Sequence, residues 1–312
     1  TPPLSGPERI SLLGDEWRMV RAGRHDIGTY LDLAAAFASD ATPAVLDELA
    51  GRVSYVQGSL AGPGERTAFA AWMRAKLGPA LQSIGVEPRP GDSEDVQSRR
   101  GTLLMLLGGV AQDEAVRSRA RAMAATFLDD PSSLPPTLVG PVLQVAAAGG
   151  DAALYDRFLA KVRASSATPA DYYRFFNTLA AFQDPALADR TLRFSLSDEV
   201  RSQDTPSLMA PLLAGPNADA AWTFVAREWD AIAKKLGMFQ GIPYIVGALG
   251  SFCTTERARE ITAFFKAHPV PAADRALQQA IERIDACVAL DAKQSAPFSA
   301  WLAKQPVPTM HH

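Results

Sequence analysis

Among the side chains that most often carry catalysis, this 312-residue chain holds four histidines, at positions 25, 268, 311 and 312, and two cysteines, Cys253 and Cys287. A zinc peptidase site needs two histidines one helical turn apart with a glutamate beside the first. No such pair occurs, and neither His25 nor His268 has a ligand-type neighbour at metal spacing. Both read as surface or helix-end residues, and His311 and His312 read as a purification-tag remnant. The cysteines lie far apart without CxxC spacing, which fits neither a disulfide framework nor a zinc site. The expectation is two buried free thiols. No Gly-Lys dipeptide exists, so there is no P-loop, and no GxSxG elbow is present. Metal, cofactor-binding and catalytic residues are therefore expected to be absent from this chain.

The remaining polar residues read mainly as structure. Gly62-Pro63-Gly64-Glu65-Arg66 lacks a preceding strand and reads as a turn before a helix rather than a phosphate loop. Arg99, Arg100, Arg117, Arg119 and Arg121 form the most basic segment, expected as a solvated outer face. Acidic residues fall at helix starts, where capping and the macrodipole account for them. The densest polar cluster is Ser197 to Asp204. Within it Arg201, Gln203 and Asp204 sit between two helices. Asp204 is expected to cap the next helix, whose first turn holds Pro206. Arg201 is expected to pair with a carboxylate across the turn; the alternative is that the three face a ligand in a concave cavity. Downstream, Asn217 is expected to cap one helix carrying the stripe Trp222, Val225, Trp229 and Ile232. Trp17, Trp222, Phe224 and Trp229 are expected in the core.

The elements that position these residues follow from apolar periodicity. Ile10, Leu13, Trp17 and Val20 form a helical stripe that starts at Ser5 and stops at Gly23. Similar stripes recur along the chain, separated by short stops such as Thr42-Pro43, Asp130-Pro131, Gly150-Asp151, Thr168-Pro169 and Asp184-Pro185, whose Asp and Thr residues are expected as caps. Gly78-Pro79 is expected to kink or break its helix, and Phe298, Trp301 and Leu302 to form a short terminal helix. No segment offers period-2 alternation with hairpin turns. The reading is all-α: roughly fifteen short antiparallel helices stacked as a HEAT-like α-α superhelix.

With 47% hydrophobic and 21% charged residues and a net charge of −3, the chain has the composition of a folded protein able to bury a sizeable core. The near-neutral charge argues against a nucleic-acid partner, and no apolar run is long enough for a membrane span. Residues 1–6 read as a cut edge or linker with no signal-peptide character. Residues 7–303 read as a single superhelix domain with a soft boundary near 85–94, and 304–312 as a tail.

Specific residues also carry a resemblance. Val200-Arg201-Ser202-Gln203-Asp204, followed by Ala221-Trp222-Thr223-Phe224 and Trp229, resembles the C-terminal helical domain of the aminopeptidase N family of zinc metallo-aminopeptidases, also called the endoplasmic-reticulum-aminopeptidase-like C-terminal domain. Glu8-Arg9, Leu12-Leu13, Gly150-Asp151, Tyr155-Asp156, Asp184-Pro185, Phe252-Cys253 and Phe264-Phe265 agree in the same order. The resemblance spans about Pro7 to Leu302. It implies a non-catalytic domain of a peptidase whose zinc-binding His-Glu-x-x-His helix, Gly-x-Met-Glu-Asn loop and catalytic Tyr lie upstream. The implied partners are the chain's own catalytic and β-sandwich domains, together with peptide substrates whose distal part the helical domain accommodates as it closes over the active site. The competing expectation is a free-standing α-solenoid that binds a protein on its concave face.

Overall fold

A computed structural model of the chain describes residues 4–165, 168–237 and 241–306; the expected tag residues His311 and His312 lie outside them. Sixteen α-helices and no strand occur among the described residues, so the fold is all-α. The helices fall into two compact units, Thr1–Ala146 with Leu290–His312, and Ala147–Ala289.

The first unit is built on α1 (Gly6–Ala22), α2 (Ile27–Ala36), α3 (Pro43–Tyr55), α4 (Arg66–Ile84), α5 (Glu94–Leu104), α6 (Glu114–Asp129) and α7 (Pro136–Ala148). Helix α1 starts where the Ser5 N–H and hydroxyl both donate to Glu8 Oε2, and it stops at Gly23, whose φ of 72° is open to glycine. Its apolar face, Leu13, Trp17 and Val20, is buried. Trp17 meets Tyr30 of α2 edge to face at 5.1 Å. Helices pack on their neighbour and on the next but one: α1 on α2 and α3, and α3 on α5. Each helix is too short to bury its stripe alone, so the next one covers it.

Gly78-Pro79 does not break α4, which runs through Pro79 to Ile84. The proline removes one backbone donor, but the flanking Leu77, Ala80 and Leu81 are buried and hold the helix in register. Two π-helical turns follow helices directly, Val56–Leu60 after α3 and Met105–Val110 after α5. In the second, Gly108 is required: a Cβ there would stand 2.4 Å from Val145 of α7. Arg100 departs from the solvated face expected for it. Its side chain is fully buried, with Nε on the Gly85 carbonyl at 2.9 Å and Nη2 on Ile84 O at 2.8 Å and Asp92 Oδ2 at 2.6 Å. These bonds take the last carbonyls of α4 and tie down the loop read as a soft boundary near 85–94, which lies inside the first unit.

The second unit comprises α8 (Ala152–Ala164), α9 (Pro169–Thr178), α10 (Pro185–Leu196), α11 (Thr205–Leu213), α12 (Ala218–Arg227), α13 (Trp229–Leu236), α14 (Ile242–Ala248), α15 (Thr255–Ala267) and most of α16 (Asp274–Leu302). Asp151 and Asp184 cap α8 and α10 through their carboxylates. Thr168 takes the equivalent position without a side-chain bond. Here α8 packs on α9, and α10 on α11 and α12.

The expected short terminal helix is the last part of the 29-residue α16, which continues through Pro297. Its final turns return to the first unit: Gln294 accepts from Ile27 N at 2.9 Å and donates to the carbonyls of Val20 and His25. Gly28 lies against Trp301 so closely that a Cβ would meet the ring at 2.4 Å.

The Arg89 amide, which donates to Asp92 Oδ2 at 2.7 Å, and the Arg100 guanidinium hold the Asp92 carboxyl below its usual range, against the opposing effect of burial. A depressed carboxylate contributes stability above its unfolded pKa and loses it as pH falls through the folded value. Asp92→Asn is therefore expected to lower the urea midpoint at pH 7, and the gap to wild type is expected to narrow below about pH 4. A gap of equal size at pH 7 and pH 3 would rule out an ionic contribution from Asp92.

Candidate functional site

The corner between α10 and α11 separates the three polar residues singled out in the sequence. Asp204 is 5% exposed, whereas Arg201 and Gln203 are exposed. Asp204 occupies the N-cap position of α11 but makes no side-chain cap. Instead Oδ1 accepts from the Tyr173 hydroxyl at 2.9 Å, while Oδ2 is buried without a partner. That bond is the leading cause of the raised Tyr173 pKa. Among the described residues Arg201 enters no ion pair; its backbone carbonyl closes the corner, accepting from Asp204 N and Thr205 N. The expected clamp is supplied by other residues. Lys235 of α13 donates to Ser197 O at 2.7 Å and Val200 O at 2.8 Å, and Arg163 of α8 pairs with Glu199 at 2.7 Å. Lys235 carried no distinguishing signal in the sequence, because its acceptors are backbone atoms 35 and 38 positions away.

The expected single Trp helix is two, broken at Glu228 between α12 and α13. Trp222, Val225, Trp229 and Ile232 are nevertheless all buried, as are Phe224 and Trp17. Trp222 Nε1 donates to Glu260 at 2.7 Å, and Trp229 packs edge to face on Phe264 and Phe265 at 5.5 and 5.3 Å. Asn217 does not cap α12; its Nδ2 donates to Gln183 O. These aromatics form core rather than a ligand surface.

A concave feature missed in the sequence lies in the first unit. Asp47, Ala50, Gly51 and Ser54 of α3 face Ser98, Gly101 and Thr102 of α5, with Met105, Leu106 and Val110 of the π-helical turn and Thr137 and Pro141 of α7. They enclose a groove of about 410 Å³. The spacing i, i+3, i+4, i+7 on α3 places small residues on one face, and this is the signal that would have found it. Thr102 donates to Asp47 Oδ1 at 2.6 Å. The groove offers one carboxylate and several hydroxyls but presents no acid–base couple.

Zinc chemistry does not fit the residues present: among the described residues no group of three His, Cys, Asp or Glu side chains could hold a metal ion. His25 Nδ1 meets Glu16 at 2.8 Å, and His268 stacks on Phe264 at 4.5 Å. No described helix is long and apolar enough to cross a membrane. The cysteines correct an expectation. Cys253 and Cys287 are not free thiols but a disulfide, with Cα atoms 5.3 Å apart. The chain returns through α15 and α16 to bring them together, which linear spacing does not reveal.

Comparison with known proteins places these observations. The profile of the ERAP1-like C-terminal domain matches residues 2–286. The chain is 25% identical over 289 residues to Aminopeptidase M1 of Arabidopsis thaliana, covering 90% of this chain and 32% of that protein. It is 26% identical to Aminopeptidase M1-A of Oryza sativa subsp. japonica over the same shares. It is 23% identical to Aminopeptidase 2, mitochondrial, of Saccharomyces cerevisiae, covering 90% and 30%. The chain thus spans about a third of the length of the curated relatives it matches.

The corner geometry separates Lys235 from Arg201. Lys235→Met strands two carbonyls and is expected to cost about 2 kcal/mol, the range for hydrogen bonds to a charged group. Arg201→Ala is expected to stay within ~0.5 kcal/mol, as for an exposed position without partners. Denaturant melts of the two variants check this, and equal losses would return the clamp to Arg201.

Proposed function

The chain belongs to the ERAP1-like C-terminal domain family, and from that premise we propose that it is the non-catalytic C-terminal domain of a zinc aminopeptidase. In this reading it closes over an upstream catalytic domain, encloses the active-site cavity and accommodates the distal part of peptide substrates. The observation that carries the proposal is the match over residues 2–286, combined with coverage confined to about a third of aminopeptidase relatives.

The helix packing supports a superhelical domain, since helices stack on the next but one within each unit. A 410 Å³ groove walled by small residues suits an extended peptide, which brings its own backbone donors and acceptors to Thr102, Ser98 and Asp47. Arg201 and Gln203, exposed beside Tyr173, are the second candidate contact, with Arg201 offering a cation to a peptide carboxylate.

The chain alone is expected to release no product from aminoacyl-anilides. Turnover abolished by a chelator would overturn the assignment of the chemistry to an upstream domain. In the intact enzyme, Arg201→Ala is expected to raise KM for peptides of about ten residues by roughly tenfold, the effect of one lost charge-assisted bond, with aminoacyl-anilide kcat unchanged. Equal effects on both substrates would remove Arg201 from the peptide path. A native reading frame without a His-Glu-x-x-His segment upstream would defeat the proposal as a whole.

A further inference from the structure

The chain contains two cysteines and no others, and they are bonded to each other across 34 positions. They differ in access. Cys287 lies on α16 and is 5% exposed. Cys253 is half-buried in the irregular segment between the 3-10 turn Leu249–Ser251 and α15. The segment is held by contacts other than the bond. Ser251 Oγ donates to Leu213 O at 2.9 Å, the Arg257 guanidinium lies 4.9 Å over the Phe252 ring, and Thr254 Oγ1 caps α15 by accepting from Arg257 N.

We infer that this domain matures in an oxidising compartment, and that Cys253 is the sulfur through which the Cys253–Cys287 bond is made and broken. A protein disulfide such as this persists where the surroundings are oxidising, whereas a glutathione-poised cytosol keeps thiols reduced. The exchange balances with a small or protein disulfide as oxidant. The Cys253 thiolate attacks one oxidant sulfur, forming a mixed disulfide and expelling the other sulfur as a thiolate. The Cys287 thiolate then attacks Cys253 Sγ, closing the protein bond and expelling the second. Two electrons pass to the oxidant, which leaves as dithiol with the two protons lost by the cysteines. Reduction reverses the path: an external thiolate attacks Sγ of Cys253, the less buried of the two residues, and Cys287 departs into its buried site on α16. A bond that closes a loop of this size constrains the unfolded chain strongly, so the crosslink fastens the segment before α15 to the middle of α16.

The test begins with protein isolated from its own cells without reductant and denatured in iodoacetamide. No alkylated cysteine is expected, and two are expected after prior reduction. Reducing the wild-type protein is expected to lower its thermal midpoint by about 10 °C, with the helical circular dichroism retained below it. Under native conditions glutathione disulfide is expected to modify C287S at least about tenfold faster than C253S, because thiol exchange follows access. Two free thiols in protein from its native source would overturn the compartment, and equal melting of oxidised and reduced forms would overturn the crosslink's fastening of the segment before α15. Faster modification of C253S would overturn the route. The double variant C253S/C287S, melting with the reduced protein, separates loss of the bond from damage by either single substitution.

Discussion

A short α-helix leaves its last four carbonyls without partners inside the helix, and a fold made of many short helices multiplies that deficit. Here several helix-end carbonyls, and carbonyls of the loops that follow, are taken by long side chains from elsewhere in the unit. Arg100 reaches Ile84 and Gly85, and Arg117 reaches Gly108 at 2.7 Å. Arg74 reaches Ala111 at 2.6 Å, and Lys235 reaches Ser197 and Val200. Arg283 reaches Gly247, and the neutral Gln294 serves Val20 and His25. A cation at a helix C-terminus meets both the orphan acceptors and the negative end of the macrodipole. Within the Arg-rich stretch 99–121 this buries Arg100 and half-buries Arg117, while Arg119 stays exposed, as expected of a solvated face, and pairs with Glu87.

That constraint also divides what the sequence disclosed from what it hid. Apolar stripes and turn residues are local properties, so Leu13, Trp17 and Val20, the caps Asp151 and Asp184, and the buried tryptophans were legible. The unwritten part is non-local. Nothing near Arg100 shows that it will be buried beneath its own preceding loop. Nothing near Lys235 points to carbonyls 35 residues earlier, and nothing near Cys253 points to Cys287. Asp204 and Asn217 look like caps because capping is the common use of such residues at helix starts. In each case a tertiary partner, Tyr173 hydroxyl or Gln183 carbonyl, competed successfully for the side chain.

The same contrast applies to the candidate sites. Of the polar residues at the corner, Asp204 is buried against Tyr173 while Arg201 and Gln203 stay exposed, and the concavity is lined largely by small residues. Ala50, Gly51, Gly101 and Thr102 matter through what they leave empty. A cluster of polar letters is visible in one dimension; a missing volume appears only when α3, α5 and α7 are set side by side. Such a surface is set by shape and a few hydrogen bonds rather than by reactive groups.

The return of α16 to the first unit has a temporal meaning. Residues 290–302 supply Gln294, Phe298 and Trp301 to a core whose other parts lie before residue 147. Phe298 and Trp301 pack against Phe69 and Trp72, separated from them by more than 220 positions. During vectorial synthesis the ribosome releases the whole of residues 147–289 before this closing segment emerges. The unit encoded in the middle is therefore the first that can be completed, whereas the other lacks Phe298 and Trp301 until residues 290–302 have emerged.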